Sequence, residues 1–251
     1  MSVIRVAVLD DHPFILRSVQ GISSVSPRPI QVAHSCTSAS EFLAEVRLSP
    51  VDVAVVDLIL DGKASGHLVI RELSEIGIPS IVFTADHRPV PLYLAMGAGA
   101  RGLVLKTDPI EYLAQAIVSV VRNGWAPSSA MAQTVLNASE SVPALTPQEL
   151  TCLRLAAQGV PVKAIGRQFQ PEITQSTVKT YLKRAYEKYA VVGRAVSNTT
   201  HAAIEAMGDG WFDVPVVEAP VVATGEPTFL AEPSSHPPTD PGTDATAVTR
   251  T

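Results

Sequence analysis

Cysteine and long apolar runs are both scarce in this chain, and each shortage removes a class of protein. Two cysteines, Cys36 and Cys152, stand far apart in 251 residues and form no CxxC spacing. That leaves no disulfide framework and no thiolate metal site, and it fits a reducing compartment. The longest apolar run, VDVAVVDLIL, is interrupted by acids and is too short to span a bilayer. No basic stretch followed by a long apolar one opens the sequence, so no secretory signal peptide is expected. The expectation is a cytoplasmic protein without membrane contact. Positive charge is also scarce outside one segment. Residues 1–125 carry a net charge of −2, residues 126–212 a net +2 and residues 213–251 a net −5. A nucleic-acid contact would therefore belong to the middle of the chain.

What the chain does have is alternation. Short β-branched runs recur at residues 3–9, 30–34, 52–56, 80–84 and 102–105, and stretches of helical spacing separate them near 13–24, 38–47, 66–76, 88–97 and 109–123. Such alternation builds βαβ units and a parallel sheet. The expected fold is α/β: a flavodoxin-like, doubly wound five-stranded parallel sheet over residues 1–125. A linker over 126–144, a small all-α helix-turn-helix domain over 145–209 and a disordered tail over 210–251 would follow. The tail assignment rests on composition. Residues 213–251 hold 7 prolines and an excess of acid, too little apolar surface to offset the entropy of ordering.

Doubly wound sheets bind ligands beyond the carboxyl ends of their strands. There the chain places Asp10 and Asp11, then Asp57, Thr84 and Lys106. In the usual strand order these ends are neighbours, so three carboxylates, a hydroxyl and an ammonium converge. Hard oxygen ligands suit Mg²⁺. A carboxylate can accept a phosphoryl group as an acyl phosphate, and a lysine and a threonine can hold the phosphoryl oxygens. Any one of these acids alone is more simply a helix cap or a loop residue. Their joint placement at four strand ends is what points to chemistry. GAGARG at 97–102 matches a dinucleotide fingerprint in spacing only, because it follows a helix and opens a strand.

Residues 3–123 resemble a response-regulator receiver domain through LDDHP, VVDLIL, VFTAD and GARGLVLKTDP. The resemblance implies that Asp57 is the phosphoacceptor and a sensor histidine kinase the donor. It also implies that Asp10, Asp11, Asp57 and the backbone carbonyl of Ile59 hold Mg²⁺, and that Thr84 and Lys106 bind the phosphoryl group. Two departures stand out. Asp61 and Ser65 occupy positions where the family often has proline and glycine, with Gly66 one residue late. Leu103 stands where an aromatic often swings inward on activation, so coupling to the output is expected to be weaker or differently wired.

The basic segment begins with LTPQEL, in which Thr146 can cap a helix, Pro147 suits its first turn and Glu149 closes a capping box. Gly159 is a good left-handed stop. A second helix is expected near 162–169, and Thr174 can cap a third, QSTVKTYLKRAYEKY. Its Val178, Leu182, Ala185 and Tyr189 share one face, while Lys179, Thr180 and Lys183 lie on the other, flanked by Arg184. A helix-turn-helix with a basic outer face fits major-groove docking. For that composition alone, a small bundle with a solvated cationic face is the plainer alternative. The segment resembles the LuxR/NarL-type helix-turn-helix. The resemblance implies promoter DNA as partner, with Lys179, Thr180 and Lys183 toward bases and Thr177, Arg184 and Lys188 nearer phosphates. Two more residues than usual around QPEI lengthen the turn before the third helix. A last helix over 199–207, with Ala202, Ala203, Ala206 and Met207 as its apolar face, is expected to make a small homodimer contact.

The combined expectation is a transcriptional regulator, not an enzyme, that is switched by phosphorylation of Asp57. One alternative is an orphan regulator whose receiver only dimerises or senses a ligand. An aspartate-nucleophile phosphatase is a weaker fit, because such enzymes usually need a second acid two residues after the nucleophile, where Ile59 stands. Ile59 also gives an attacking water no help, so self-dephosphorylation should be slow. A phosphoryl half-life of seconds in the isolated receiver would contradict this.

Overall fold

The computed structural model describes residues 2–127 and 142–213. The first unit runs β1 (Ile4–Leu9), α1 (Pro13–Gln20), β2 (Ile30–Cys36), α2 (Ala39–Leu48), β3 (Val53–Val56), β4 (Ile59–Leu60) and β5 (Lys63–Ala64). It continues α3 (Gly66–Glu75), β6 (Ser80–Thr84), α4 (Pro89–Gly97), β7 (Gly102–Leu105) and α5 (Ile110–Asn123). Five strands form one parallel sheet in the order β2-β1-β3-β6-β7. Val53, Ala54, Val55 and Val56 are all buried, as a central parallel strand covered on both faces requires. On one face Phe42, Ile70, Leu73 and Leu92 from α2, α3 and α4 build a core. On the other, Leu16, Val19, Leu113 and Ile117 from α1 and α5 build a second. This is the expected α/β architecture with its expected strand order.

The antiparallel pair β4–β5 was not expected from sequence. Its turn residues, Asp61 at φ 51° and Gly62 at φ 69°, both sit in the left-handed region that a two-residue hairpin turn demands. The hairpin absorbs the extra residue that sets Gly66 late. Gly66 then opens α3 directly against the phosphoacceptor candidate: a Cβ there would lie 2.1 Å from the Asp57 carbonyl oxygen and 2.7 Å from the Leu58 Cα. Only glycine lets that helix approach.

The second unit comprises α6 (Pro147–Ala157), α7 (Val162–Ile165), a 3₁₀ turn (Gly166–Gln168), α8 (Gln175–Val191) and α9 (Thr199–Asp209). The Thr146–Glu149 capping box forms, and the Thr174 hydroxyl caps α8. Val178, Leu182, Ala185 and Tyr189 all point into one core with Cys152, Leu153 and Ile165. The long turn before α8 is pinned where the Ile173 N–H donates to the Gly166 carbonyl at 3.2 Å.

Several expectations need correction here. Ala126 is buried on the core of the first unit, and Phe212 is buried on that of the second, so both units run past their expected ends. Most of the expected linker (128–141) and tail (214–251) lies outside the described residues. Ala202, Ala203 and Ala206 are 0%, 2% and 0% exposed, and Met207 packs on the same core. Ala202, Ala206 and Met207 therefore pack into the core of their own domain, and Ala203 is buried as well, so the four do not form a free dimer face in this arrangement. A domain this small needs every apolar stripe for its own core.

Two further contacts tie the helical unit together. Lys188 donates to the buried Glu149 carboxylate at 2.7 Å, and so joins α8 to the cap of α6. On the next residue of α8, the Tyr189 hydroxyl donates to Asp209 at 3.0 Å, and Arg194 pairs with both Asp209 and Glu205. Burial pushes the Glu149 carboxyl up, but hydrogen bonds from Lys188 and the Thr146 amide outweigh it, and its pKa is lowered from the ordinary 4.5.

Gly66→Ala should destabilise the first unit by about 1–3 kcal/mol in urea melts, since a fixed backbone carbonyl cannot yield. A lowered folded pKa for Glu149 means its stabilisation is present above 4.5 and is lost as pH falls through the lowered value. Lys188→Met should cost the second unit about 1–3 kcal/mol at neutral pH. The variant should also lose that acid-side decline, as thermal melts of both proteins across this range would show.

Candidate functional site

The sheet register positions the candidate site. Leu9 lies opposite Val56, Val56 opposite Val82 and Thr84 opposite Leu105, so β1 and β3 end together and β6 and β7 run two residues further at the same edge of the sheet. The backbone ladder continues one step further: the Asp57 N–H donates to the Leu9 carbonyl at 3.0 Å and the Lys106 N–H to the Thr84 carbonyl at 2.8 Å. These bonds fix where each side chain begins. Lys106 Nζ donates to Asp57 Oδ2 at 2.5 Å and lies 2.7 Å from Asp10 Oδ2. Asp57 Oδ1 accepts from the Leu58 N–H at 2.6 Å and from the Ile59 N–H at 3.4 Å. Asp10, Asp57 and Thr84 are buried.

The electrostatics show a shortage of positive charge. Burial pushes the Asp10 carboxyl above its ordinary value, despite hydrogen bonds from Lys106 and the His12 amide. Burial pulls the Lys106 ammonium down, but Asp10 and Asp57 more than reverse that, and its pKa is raised. One cation serves three carboxylates, since Asp11 stands in the same cluster. Donor atoms of Asp10, Asp11, His12 and Asp57 all lie within 4.8 Å of one another. Asp11 Oδ1 is buried with no hydrogen-bond donor, while Asp11 Oδ2 accepts from the Asp61 N–H of the hairpin at 3.0 Å. An orphaned carboxylate oxygen inside an acidic cluster is what a hard divalent cation would satisfy, so these residues fit a metal.

The other expected residues divide. The Thr84 hydroxyl accepts from the Asp86 N–H at 3.2 Å. Leu103 is fully buried among the apolar residues beneath α4, where it has no polar contact to offer. Ile59 lies in β4, two residues beyond Asp57. A cavity of about 520 Å³ beside Arg101, Asn123 and Trp125 lies at the opposite, amino-terminal pole of the sheet, away from these groups.

On α8, Lys179, Thr180, Lys183 and Arg184 are exposed on the face away from the core. Lys183 faces Glu187 at 3.7 Å across solvent, a pairing too exposed to hold it. Thr177 is half-buried and its hydroxyl lies 2.9 Å from the Thr174 hydroxyl at the helix start. Lys188 departs from the expected set, because its ammonium is held by Glu149 and the Ala144 carbonyl.

Three functional candidates escaped sequence inspection. His12 follows the acid pair and joins its cluster. Asp86 holds Arg88, which reaches Asp213, 125 residues away, at 2.5 Å. Gly210 packs so closely on this segment that a Cβ there would lie 2.7 Å from Pro91 Cδ. Of these, only His12 left a signal in the sequence, by its place beside two acids.

Residues 6–118 match the family described as response regulator receiver domain, and residues 143–199 match bacterial regulatory proteins of the luxR family. The transcriptional regulatory protein DesR of Bacillus subtilis is 27% identical over 209 residues, covering 83% of this chain and 99% of that protein. The nitrate/nitrite response regulator protein NarL of Escherichia coli is 28% identical over 200 residues, covering 75% of this chain and 90% of that one. A solved structure of two RcsB dimers bound to two parallel DNAs shares the fold, with a TM-score of 0.57 at 21% identity, over 83% of this chain and 99% of that chain. A strand-end acidic pocket on a doubly wound sheet, a following helix-turn-helix and both family matches lead to one conclusion: the chain belongs to the two-component response regulators of the LuxR/NarL type, which are transcriptional regulators.

Proposed function

We propose that this regulator is switched by phosphorylation of Asp57 and then binds promoter DNA as a homodimer. The observation that carries this is the Lys106 ammonium, largely shielded and held between Asp10 and Asp57. A fixed cation beside a buried carboxylate binds a transferred phosphoryl group and offsets its charge. An Asp57 oxygen attacks the phosphorus of a phosphohistidine on a sensor kinase. The P–N bond breaks, its electron pair returns to the imidazole nitrogen, and an acyl phosphate forms. Mg²⁺, held by Asp10, Asp11, Asp57 and the Ile59 carbonyl, would supply the positive charge the pocket lacks. Lys106 and Thr84 take the new oxygens.

Engaging Thr84 disturbs a chain of contacts that ends on the DNA-binding domain. The Thr84 hydroxyl gives up the Asp86 N–H, and Asp86 is what orients Arg88 toward Asp213. The interface beyond is loose: a cavity of about 330 Å³ lies between Tyr93, Leu94, Pro143 and Trp211. The Trp211 indole N–H is buried there without an acceptor. Such a contact is easily exchanged, which suits a two-state switch. This route replaces the inward aromatic, whose position Leu103 occupies.

The released domain would place α8 in the major groove, with Lys179, Thr180 and Lys183 toward bases and Thr177 and Arg184 near phosphates. RcsB, of the same fold, is seen as dimers on DNA, which supports two-fold binding here. Among the described residues no helix is long and apolar enough to cross a membrane.

Intact-mass measurement after incubation with Mg²⁺ and a small phosphodonor should show one added phosphoryl group in the wild type and none in Asp57→Ala. A gain in both would move the acceptor elsewhere. Lys179→Ala and Arg184→Ala should each weaken duplex DNA binding and lower the slope of log affinity against log salt, by about 1 where the side chain meets a phosphate. An unchanged slope in Arg184→Ala would remove that residue from the phosphate set.

A further inference from the structure

We infer that His12 is a ligand of the ion in the acidic pocket, and that it makes the pocket prefer divalent ions that accept nitrogen, such as Co²⁺ or Ni²⁺, over Mg²⁺. The inference rests on the proposed cation site and adds a fourth side chain and a selectivity to it.

The spacing is that of neighbouring ligands. His12 Nδ1 lies 2.7 Å from Asp11 Oδ1 and 3.4 Å from Asp10 Oδ1. Adjacent donors around an octahedral ion with bonds of about 2.1 Å are about 3.0 Å apart, and around a tetrahedral ion about 3.4 Å. The short approach to Asp11 Oδ1 is not a hydrogen bond, since that oxygen has no aligned donor. Two donor atoms that converge without bonding each other leave room for a shared cation.

The backbone holds the ring there. His12 is the N-cap of α1, extended at φ −99° and ψ 105°, and Pro13 follows it. A residue before proline is restricted to that region. The His12 N–H donates to Asp10 Oδ1 at 3.0 Å, so the residue is anchored by the same carboxylate its ring approaches. The simpler account is an imidazolium paired with Asp11. That pair would be exposed on the histidine side, with 66% of the His12 side chain open to solvent, and would contribute little. Imidazole suits the later transition ions, whereas Mg²⁺ takes oxygen and keeps its waters. His12 should therefore matter for Co²⁺ and not for Mg²⁺.

The test uses the full chain and its His12→Gln variant, whose exposed position should leave folding intact by circular dichroism. Mg²⁺ and Co²⁺ affinities are measured by calorimetry, and the visible absorption of bound Co²⁺ is recorded. The inference expects Co²⁺ to bind His12→Gln about tenfold more weakly, with an altered visible band, and Mg²⁺ to bind both proteins equally. Excess Mg²⁺ should displace the Co²⁺ from wild type, which locates it in the pocket. Equal Co²⁺ affinity and identical spectra, with Mg²⁺ binding intact, would overturn the role of His12 alone. Failure of the wild type to bind Mg²⁺ would overturn the cation site itself.

Discussion

One largely shielded ammonium shared by two carboxylates is the constraint on which the rest of the molecule depends. Lys106 reaches Asp10 and Asp57 because β1, β3 and β7 end at the same edge of one parallel sheet. Three acids around one cation are an electrostatic liability in a buried site. The fold tolerates it by crowding amide donors onto the carboxylates: Leu58 and Ile59 on Asp57, His12 on Asp10, Asp61 on Asp11. What these donors leave uncompensated is negative charge that a bound cation would offset. A pocket optimised for stability would contain fewer acids.

The same logic runs outward along α4. Thr84 is both a wall of the pocket and the acceptor that orders Asp86, and Asp86 is the partner that orients Arg88. Burial works against the Arg88 guanidinium, but the hydrogen bonds to Asp86, the largest influence, hold its pKa above its ordinary value. Its remaining arm meets Asp213 just past the end of α9. Hydrogen bonds and ion pairs thus link Thr84 at the pocket wall to the end of the DNA-binding domain. Lys179 and Lys183 on α8 stay exposed in this arrangement.

Much of this was legible in the sequence, for physical reasons that also set the limits. Central parallel strands are continuous β-branched runs, so the sheet and its strand ends could be found, and with them Asp10, Asp57, Thr84 and Lys106. The inward face of α8 was equally plain, because a period of 3.6 identifies Val178, Leu182, Ala185 and Tyr189 together. The hairpin was missed because two-residue strands carry no periodicity, although Asp61-Gly62 is a strong turn signal. Ala202, Ala203 and Ala206 were misassigned because a stripe reveals which face is apolar and not what covers it. Lys188 sits on a basic helix, and nothing local reveals that Glu149, 39 residues away, claims it. The Arg88–Asp213 contact likewise joins segments no local pattern connects.

Hydrogen–deuterium exchange of the full chain, with and without phosphodonor and Mg²⁺, tests most directly whether the pocket controls the output domain. The Gly210 and Trp211 amides, bonded to Met207 and Ala206 at the end of α9, report the contact with α4. Phosphorylation should speed their exchange in wild type and leave it unchanged in Asp57→Ala. Identical exchange at residues 206–213 in phosphorylated and unphosphorylated protein would contradict the coupling.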